Sequence, residues 1–296
     1  MKKSVRVSYG SAVELGLTDG KLATRPRTAY LLLGEGACRG KCIFCPQSRD
    51  GAPERIARVS WPQFPLESVL EALCSSRSIE RVCLQCPDEE AAMEELSSLV
   101  GRVAGGHPVS VAMPPWGAEL MANLKVAGAE RLTVPIDCAS PRLFRAVKGR
   151  AMPECLNALK SAVELFGVGM VGTHVIVGLG ETEKEVVALA GRLLSMGVMP
   201  SLFALTPVKG TMMEGRGPPP VATFRRLQLA LYIMEEVGAE SEGFSFNSRG
   251  RIAGYPVEKT ALEATVKSGK PFETRGCPGC NRPYFNERVS GPLFNF

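Results

Sequence analysis

Cys38, Cys42 and Cys45 stand in the run Cys38-Arg-Gly-Lys-Cys42-Ile-Phe-Cys45, three thiols on one short stretch. Soft thiolates at this spacing suit an iron–sulfur cluster, whose irons are normally each held by one cysteine. Three ligands leave one iron of a [4Fe–4S] cube open. An open iron is a catalytic feature, since a cluster that only passes electrons is usually closed. The bland readings are a structural zinc site one ligand short, or reduced cysteines with no metal. Cys277-Pro-Gly-Cys280 gives a second pair, at a spacing that binds a metal on a turn. By itself that pair could also be a zinc knuckle or an idle closure of the tail.

A chain of 296 residues, 45% hydrophobic and 22% charged, buries a sizeable core without covalent staples, so its ten cysteines need another explanation. The start, MKKSVRVSYG, has two lysines but no apolar stretch behind them, which argues against a secretion signal. The longest hydrophobic runs, such as Val168 to Leu179, are broken by Gly and His and are too short to span a bilayer. The expectation is a cytoplasmic protein, where clustered cysteines bind metal or do chemistry more often than they pair. The net charge of +5 comes from scattered Lys and Arg, without a basic run or interleaved aromatics, so neither nucleic acid nor membrane is expected as a partner.

The elements that must position these thiols follow an alternating pattern. Strands are expected over Thr28–Leu33, Arg81–Gln85, Pro108–Met113, Arg131–Ile136, Gly172–Val177, Ser201–Leu205 and Gly243–Asn247. Between them, Leu66–Leu73 and Phe224–Met234 carry apolar residues at helical spacing. Strand then helix, repeated, is the pattern of a parallel α/β sheet with right-handed crossovers. Such sheets carry function at the carboxyl ends of their strands. The Cys38 loop, Asp137, Gly178-Leu-Gly-Glu181 and Lys209 all fall on that rim. Three segments are expected: an N-terminal extension over 1–27, a partial barrel over 28–250, and a Gly-, Pro-, Asn- and Arg-rich tail over 251–296. Gly217-Pro-Pro-Pro220 reads as a stiff loop before the last long helix.

The three-then-two cysteine spacing, with the aromatic Phe44 before the last cysteine, resembles the signature of the radical S-adenosylmethionine (SAM) superfamily. The resemblance implies a partial (β/α)6 barrel with parallel strands, and a SAM molecule chelated to the open iron. In that family an electron from the cluster cleaves the sulfonium, and the 5′-deoxyadenosyl radical takes a hydrogen from substrate. Further motifs are similar to the biotin synthase-like branch. Val134-Pro-Ile-Asp137 resembles the strand-four motif whose Asp bonds the SAM ribose; alone, Asp137 would be read as a helix cap or turn. Ile176-Val-Gly178-Leu-Gly180-Glu181 resembles the segment near the adenine. Its plain alternative is a tight turn with Glu181 in the first turn of a helix. Arg150 lies where the branch places an arginine for the SAM carboxylate. Val208-Lys-Gly-Thr211 also matches, with a role that could be purely a turn. The acidic motif that many members use for the SAM amino group is missing after the second strand, and Gln85 or a backbone carbonyl would stand in.

The same resemblance implies a second, auxiliary cluster inside the barrel as sulfur source. Cys83 in Arg81-Val-Cys83-Leu matches one of its ligands, and Cys277 with Cys280 would replace the others, with the fourth ligand open. Cys86 is the rival, but alternation points it to the opposite face from Cys83. Cys74, Cys138 and Cys155 sit among apolar neighbours and read as core; His107 and His174 read as structural. Val5-Arg-Val-Ser-Tyr9, Arg58-Val-Ser-Trp61-Pro and Gly276-Cys-Pro-Gly-Cys-Asn-Arg-Pro-Tyr-Phe-Asn-Glu-Arg288 resemble the two-component lipoyl synthases. That implies a sulfurtransferase acting on an octanoylated lipoyl carrier domain, beside a paralogous radical SAM partner and an electron donor such as ferredoxin or flavodoxin. It also puts the tail near an open barrel mouth. The alternatives are a mutase or C–C bond-forming enzyme of the same branch, and, more remotely, a non-catalytic iron–sulfur or zinc protein.

Overall fold

The computed structural model describes residues 4–34, 38–48 and 55–295. Six strands run parallel in chain order: Thr28–Leu32, Arg81–Gln85, Val109–Ala112, Ala129–Thr133, Val171–Val177 and Val198–Ala204. Each lies beside its predecessor, so the sheet grows in one direction without reversal. Helices Leu66–Ser75, Glu90–Ala104, Ala118–Val126, Met152–Phe166 and Glu183–Ser195 lie on the successive crossovers. This is the mixed α/β, barrel-like architecture expected from the alternating pattern.

Side-chain alternation decides which wall is which. Along Val171–Val177, Val171, Thr173, Val175 and Val177 are buried, while Gly172, His174 and Ile176 are half-buried. Val82 and Leu84 likewise join the main core, and their neighbours Cys83 and Gln85 face the other way. The helices supply the other half of the core. Leu66, Val69 and Leu73 are buried at three- and four-residue steps, and Phe224, Leu227 and Leu231 do the same on Val221–Tyr232. Thr182 and Glu185 form a capping box that starts Glu183–Ser195 directly after the Gly178 turn.

Three features differ from the expected pattern. Ser4–Val7 and Gln63–Pro65 add two antiparallel strands beyond Thr28–Leu32, making the sheet eight-stranded. Both are too short to show a period. The strand expected over Gly243–Asn247 shrinks to Ser245–Phe246, paired with Ile252–Gly254 in a separate hairpin. Glu183 ties that hairpin down, accepting from Ile252 N at 2.9 Å and pairing with Arg226. Cys74 is exposed, although Cys138 and Cys155 are buried as expected. It lies near the end of its helix, past the buried stripe.

The tail packs along the barrel. Arg81 Nε donates to Pro278 O at 2.9 Å and Thr28 Oγ1 to Gly279 O at 3.1 Å, at the amino ends of the first two parallel strands. Further on, Asn286 Nδ2 donates to Ala204 O at 2.9 Å, at the carboxyl end of the last one. The segment therefore bridges the two outer strands of the parallel run. Cys277 and Cys280 thus lie at the amino-terminal end of the barrel, opposite the rim that carries the Cys38 loop. Among the described residues no helix is long and apolar enough to cross a membrane.

Candidate functional site

The chain leaves Thr28–Leu32 at the carboxyl rim and enters the loop of Cys38, Cys42 and Cys45. Backbone bonds pin that loop: Cys38 N to Gln47 O at 3.0 Å, Ile43 N to Val147 O at 3.0 Å and Arg39 N to Asp88 O at 2.8 Å. Asp88 in turn accepts from Arg39 and, at 3.2 Å, from Trp116 Nε1. Cys38 Sγ receives two backbone amides, Asp88 N at 3.3 Å and Gly40 N at 3.4 Å. A side chain at Gly40 would begin 3.2 Å from Cys38 Sγ and 3.9 Å from Cys42 Sγ, so glycine keeps the space beside both sulfurs clear.

Burial pushes the Cys42 thiol up to about 11, against the pull of Lys148. Burial, then the neighbouring Cys42, pushes Cys45 up to about 12. Thiols so reluctant to ionise become ligands when a metal supplies positive charge, which deprotonates them outright. Among the described residues no three His, Cys, Asp or Glu side chains converge tightly enough for a single metal ion. A donor set of three soft thiols suits a multi-iron cluster, which holds its thiolates further apart than one ion does.

Asp137 sits at the same rim in the left-handed region, with φ 60°. A bridge to Val175 holds it, with Asp137 N donating to His174 O at 2.7 Å and Ile176 N to Asp137 O at 2.8 Å. It is no helix cap; Ser140 precedes the helix Pro141–Lys148. Its Oδ2 takes a 2.5 Å hydrogen bond from Lys148 Nζ, which also donates to Pro135 O at 2.8 Å. The carboxylate and ammonium are 9% and 3% exposed, so each charge depends on the other. Lys148 is a site residue that the sequence reading missed. The available signal was its place one turn after Phe144, on the helix's buried stripe. Arg150, half-buried, acts on the Cys42 thiol through its charge, in the same direction as Lys148.

Gly178 and Gly180 have φ of 112° and 118°, which side chains rarely adopt. Glu181 fills the turn they make, its two carboxylate oxygens accepting from Gly178 N at 2.6 Å and Gly180 N at 2.9 Å. Glu181 therefore precedes the helix N-cap, Thr182, and does not sit in the first turn. Lys209 is exposed in a turn closed by Thr211 N to Val208 O at 3.2 Å.

Cys83, Cys277 and Cys280 do come together. Cys277-Pro278-Gly279-Cys280 forms a turn with Gly279 at φ 77° and Cys280 N donating to Cys277 O at 2.9 Å, the pattern of a type II turn with proline in second place. Burial raises the pKa of Cys83, and the charges of Cys277 and Cys280 raise it further. Cys86 faces away and contacts Met93 Sδ at 3.6 Å.

One cavity of about 650 Å³ reaches both thiol sets, through Cys45 of the first and all three cysteines of the second. Phe44, Cys45 and Asp137 line it toward the rim, and Cys83, Cys277 and Cys280 line it toward the amino end. His174, Phe203 and Arg282 lie between, with Arg282 stacked 4.1 Å from the Phe203 ring centre. His107 is structural, bonded to Leu73 O. His174 instead lines the cavity, and burial lowers its pKa to about 4, so it is neutral there. Gln85 also lines the cavity, its amide nitrogen 2.9 Å from Cys83 Sγ.

No protein-family model matches the chain. Over 179 residues it is 25% identical to a lipoyl synthase from Caldicellulosiruptor saccharolyticus; the match covers 59% of this chain and 61% of that one. Among solved structures, HydG, a maturase of the [FeFe]-hydrogenase, matches 70% of this chain and 49% of its own, with TM-score 0.55 and 15% identity. Methylornithine synthase (PylB) matches 87% of both chains, with TM-score 0.52 and 15% identity. SuiB from Streptococcus suis matches 71% of this chain and 47% of its own, with TM-score 0.54 and 13% identity. The chain thus shares the fold of these solved structures, and its three-cysteine loop follows the first parallel strand at the carboxyl rim, where the resemblance to the radical SAM superfamily puts it.

Proposed function

We propose that the protein is a radical SAM sulfurtransferase of the lipoyl synthase type, inserting sulfur into a protein-bound octanoyl chain. The observation that carries this reading is the shared cavity, lined by Cys45 of the first thiol set and by Cys83, Cys277 and Cys280 of the second. Cys83 beside two tail cysteines gives a hydrogen-abstracting centre a candidate sulfur source on the same cavity. The lipoyl synthase relative agrees in kind.

Cys38, Cys42 and Cys45 would hold a [4Fe–4S] cluster, with SAM toward Asp137, Arg150 and the Gly178 turn. Such a group, when bound, supplies the electron that cleaves the sulfonium and the radical that takes hydrogen from an unactivated carbon. The chain's own part is positioning. Lys148 holds the Asp137 side chain in place by charge pairing, where it would accept ribose hydroxyls. Phe44, Ile176 and Leu205 give the cavity apolar surface for an acyl chain, and His174 stands neutral between the ends. Cys83, Cys277 and Cys280 would hold the auxiliary cluster that gives up sulfur. An octanoylated lipoyl carrier domain, a paralogous partner and a small electron donor complete the system.

The test is iron and sulfide content after anaerobic reconstitution, for wild type and for C38A/C42A/C45A together. Retention of about half the iron by the variant, as two similar clusters require, supports sulfur insertion. A variant stripped of all iron leaves one catalytic cluster, and radical chemistry without sulfur transfer takes its place.

A further inference from the structure

Each thiol at the amino-terminal end of the cavity meets one neutral hydrogen-bonding side chain from the barrel wall, and the three come from three adjacent strands. Tyr30, on Thr28–Leu32, places its phenol oxygen 3.5 Å from Cys280 Sγ. Gln85, on Arg81–Gln85, donates its amide to Cys83 Sγ at 2.9 Å. Ser110, on Val109–Ala112, lies beside Cys277 and its hydroxyl lowers the Cys277 pKa against the pull of burial.

The direction of the hydroxyl bonds follows from what else these oxygens do. Tyr30 Oη accepts from Arg282 N at 3.1 Å, and Ser110 Oγ accepts from Arg81 Nη1 at 3.0 Å. A hydroxyl has a single proton, and with a donor already on each oxygen that proton is left for sulfur. Tyr30 and Ser110 are each 2% exposed, so water competes little for it. Burying three polar groups around three sulfurs costs free energy unless the sulfurs accept well, and a thiolate accepts far better than a thiol. Arg81, Arg131 and Arg282 add positive charge around the same thiols. Tyr30 is a donor rather than the missing fourth ligand. At 3.5 Å from Cys280 Sγ its oxygen lies too close to that sulfur to serve another iron of a cube, whose outward ligands diverge.

We propose that Tyr30, Gln85 and Ser110 form a donor shell, one per cysteine, around the sulfurs of Cys280, Cys83 and Cys277, and that this shell raises the reduction potential of the iron–sulfur cluster they bind. This rests on the sulfurtransferase reading and gives its second site a tuning mechanism. Hydrogen bonds to ligating sulfur favour the reduced cluster, which carries more negative charge.

The test uses the full chain carrying C38A/C42A/C45A, reconstituted with iron and sulfide, so that only the second site can hold a cluster. Midpoint potentials are read by an EPR-monitored redox titration for this parent and for added Tyr30→Phe, Gln85→Met or Ser110→Ala. The expected result is retained iron with a more negative midpoint in each, and a larger shift in the Tyr30→Phe/Ser110→Ala double. Retained iron with an unchanged midpoint in all three overturns the donor shell while leaving the sulfurtransferase reading intact. So does a lowered unfolding temperature without a shift in potential, since that is what a purely structural role gives. A parent that binds no iron removes the second cluster, and both conclusions fall together. If Tyr30→Phe does not fold, the Gln85 and Ser110 variants decide.

Discussion

The two thiol sets are built by opposite means. Cys38, Cys42 and Cys45 come from eight consecutive residues, and Cys38 Sγ is served by the backbone amides of Gly40 and Asp88. Cys83, Cys277 and Cys280 come from a strand and a distant tail, and the side chains of Gln85, Ser110 and Tyr30 serve them. Amides come with any chain, so the first set keeps its hydrogen bonds through most substitutions nearby. The second depends on three particular side chains on three strands. A loop can therefore carry the first chemistry on many barrels, while the second must be specified across the whole wall.

The comparison breaks most sharply at the cysteines themselves. Alanine at any one of Cys38, Cys42 or Cys45 is expected to abolish reductive SAM cleavage, read as 5′-deoxyadenosine release. Cys280→Ala is expected to keep that release and to stop formation of thiolated carrier domain, read by intact mass. Thiolated product from Cys280→Ala would end the assignment of the tail.

Next in size is the ion pair beneath the first set. Lys148→Met leaves the Asp137 carboxylate buried without its cation, at a cost of about 3–5 kcal/mol in a denaturant titration. Adding Asp137→Asn removes the orphaned charge, so the double variant should recover much of that loss. SAM affinity by equilibrium dialysis should stay low in the double, because an amide accepts ribose hydroxyls less well than a carboxylate.

Between the sets, His174 gives a pH signature. Its folded pKa of about 4 lies below its ordinary value, so the unfolded chain binds more protons in that window. The stability it supports is present above about pH 6.5 and is lost as pH falls toward 4, by up to about 3 kcal/mol. His174→Phe should flatten the stability profile between those values; a profile as steep as wild type would assign the acid sensitivity elsewhere. The smallest expected effect is at Cys74, exposed and outside both sets. Cys74→Ser should change stability by less than about 0.5 kcal/mol and leave iron content unchanged.

The same contrast explains how far the sequence could be read. The Cys38 loop, Asp137 and the Gly178 turn are local patterns at strand ends, and strand alternation alone separates Cys83 from Cys86. The turn at Cys277 was legible from Pro278-Gly279, but its place was not. That place depends on Arg81 and Thr28 bonding to Pro278 and Gly279 from far along the chain. Lys148 was missed because a lysine on an apolar stripe looks like a helix-end residue until Asp137 is seen beneath it. His174 was read as structural because its cavity exists only once six strands curve together. Ser4–Val7 and Gln63–Pro65 were missed because edge strands of three or four residues carry too few positions to alternate.

The bridging tail also sets a schedule. At roughly 5–20 residues per second, the ribosome needs on the order of 10–40 s to extend the chain about 190 residues from Cys83 to Cys277. Over that interval the first loop is already complete, while Cys83 waits on its strand without the pair that faces it. The three cysteines of the first loop are therefore all synthesised well before the second set has its tail pair. On the proposed reading, chain position alone completes the ligands of one cluster before those of the other.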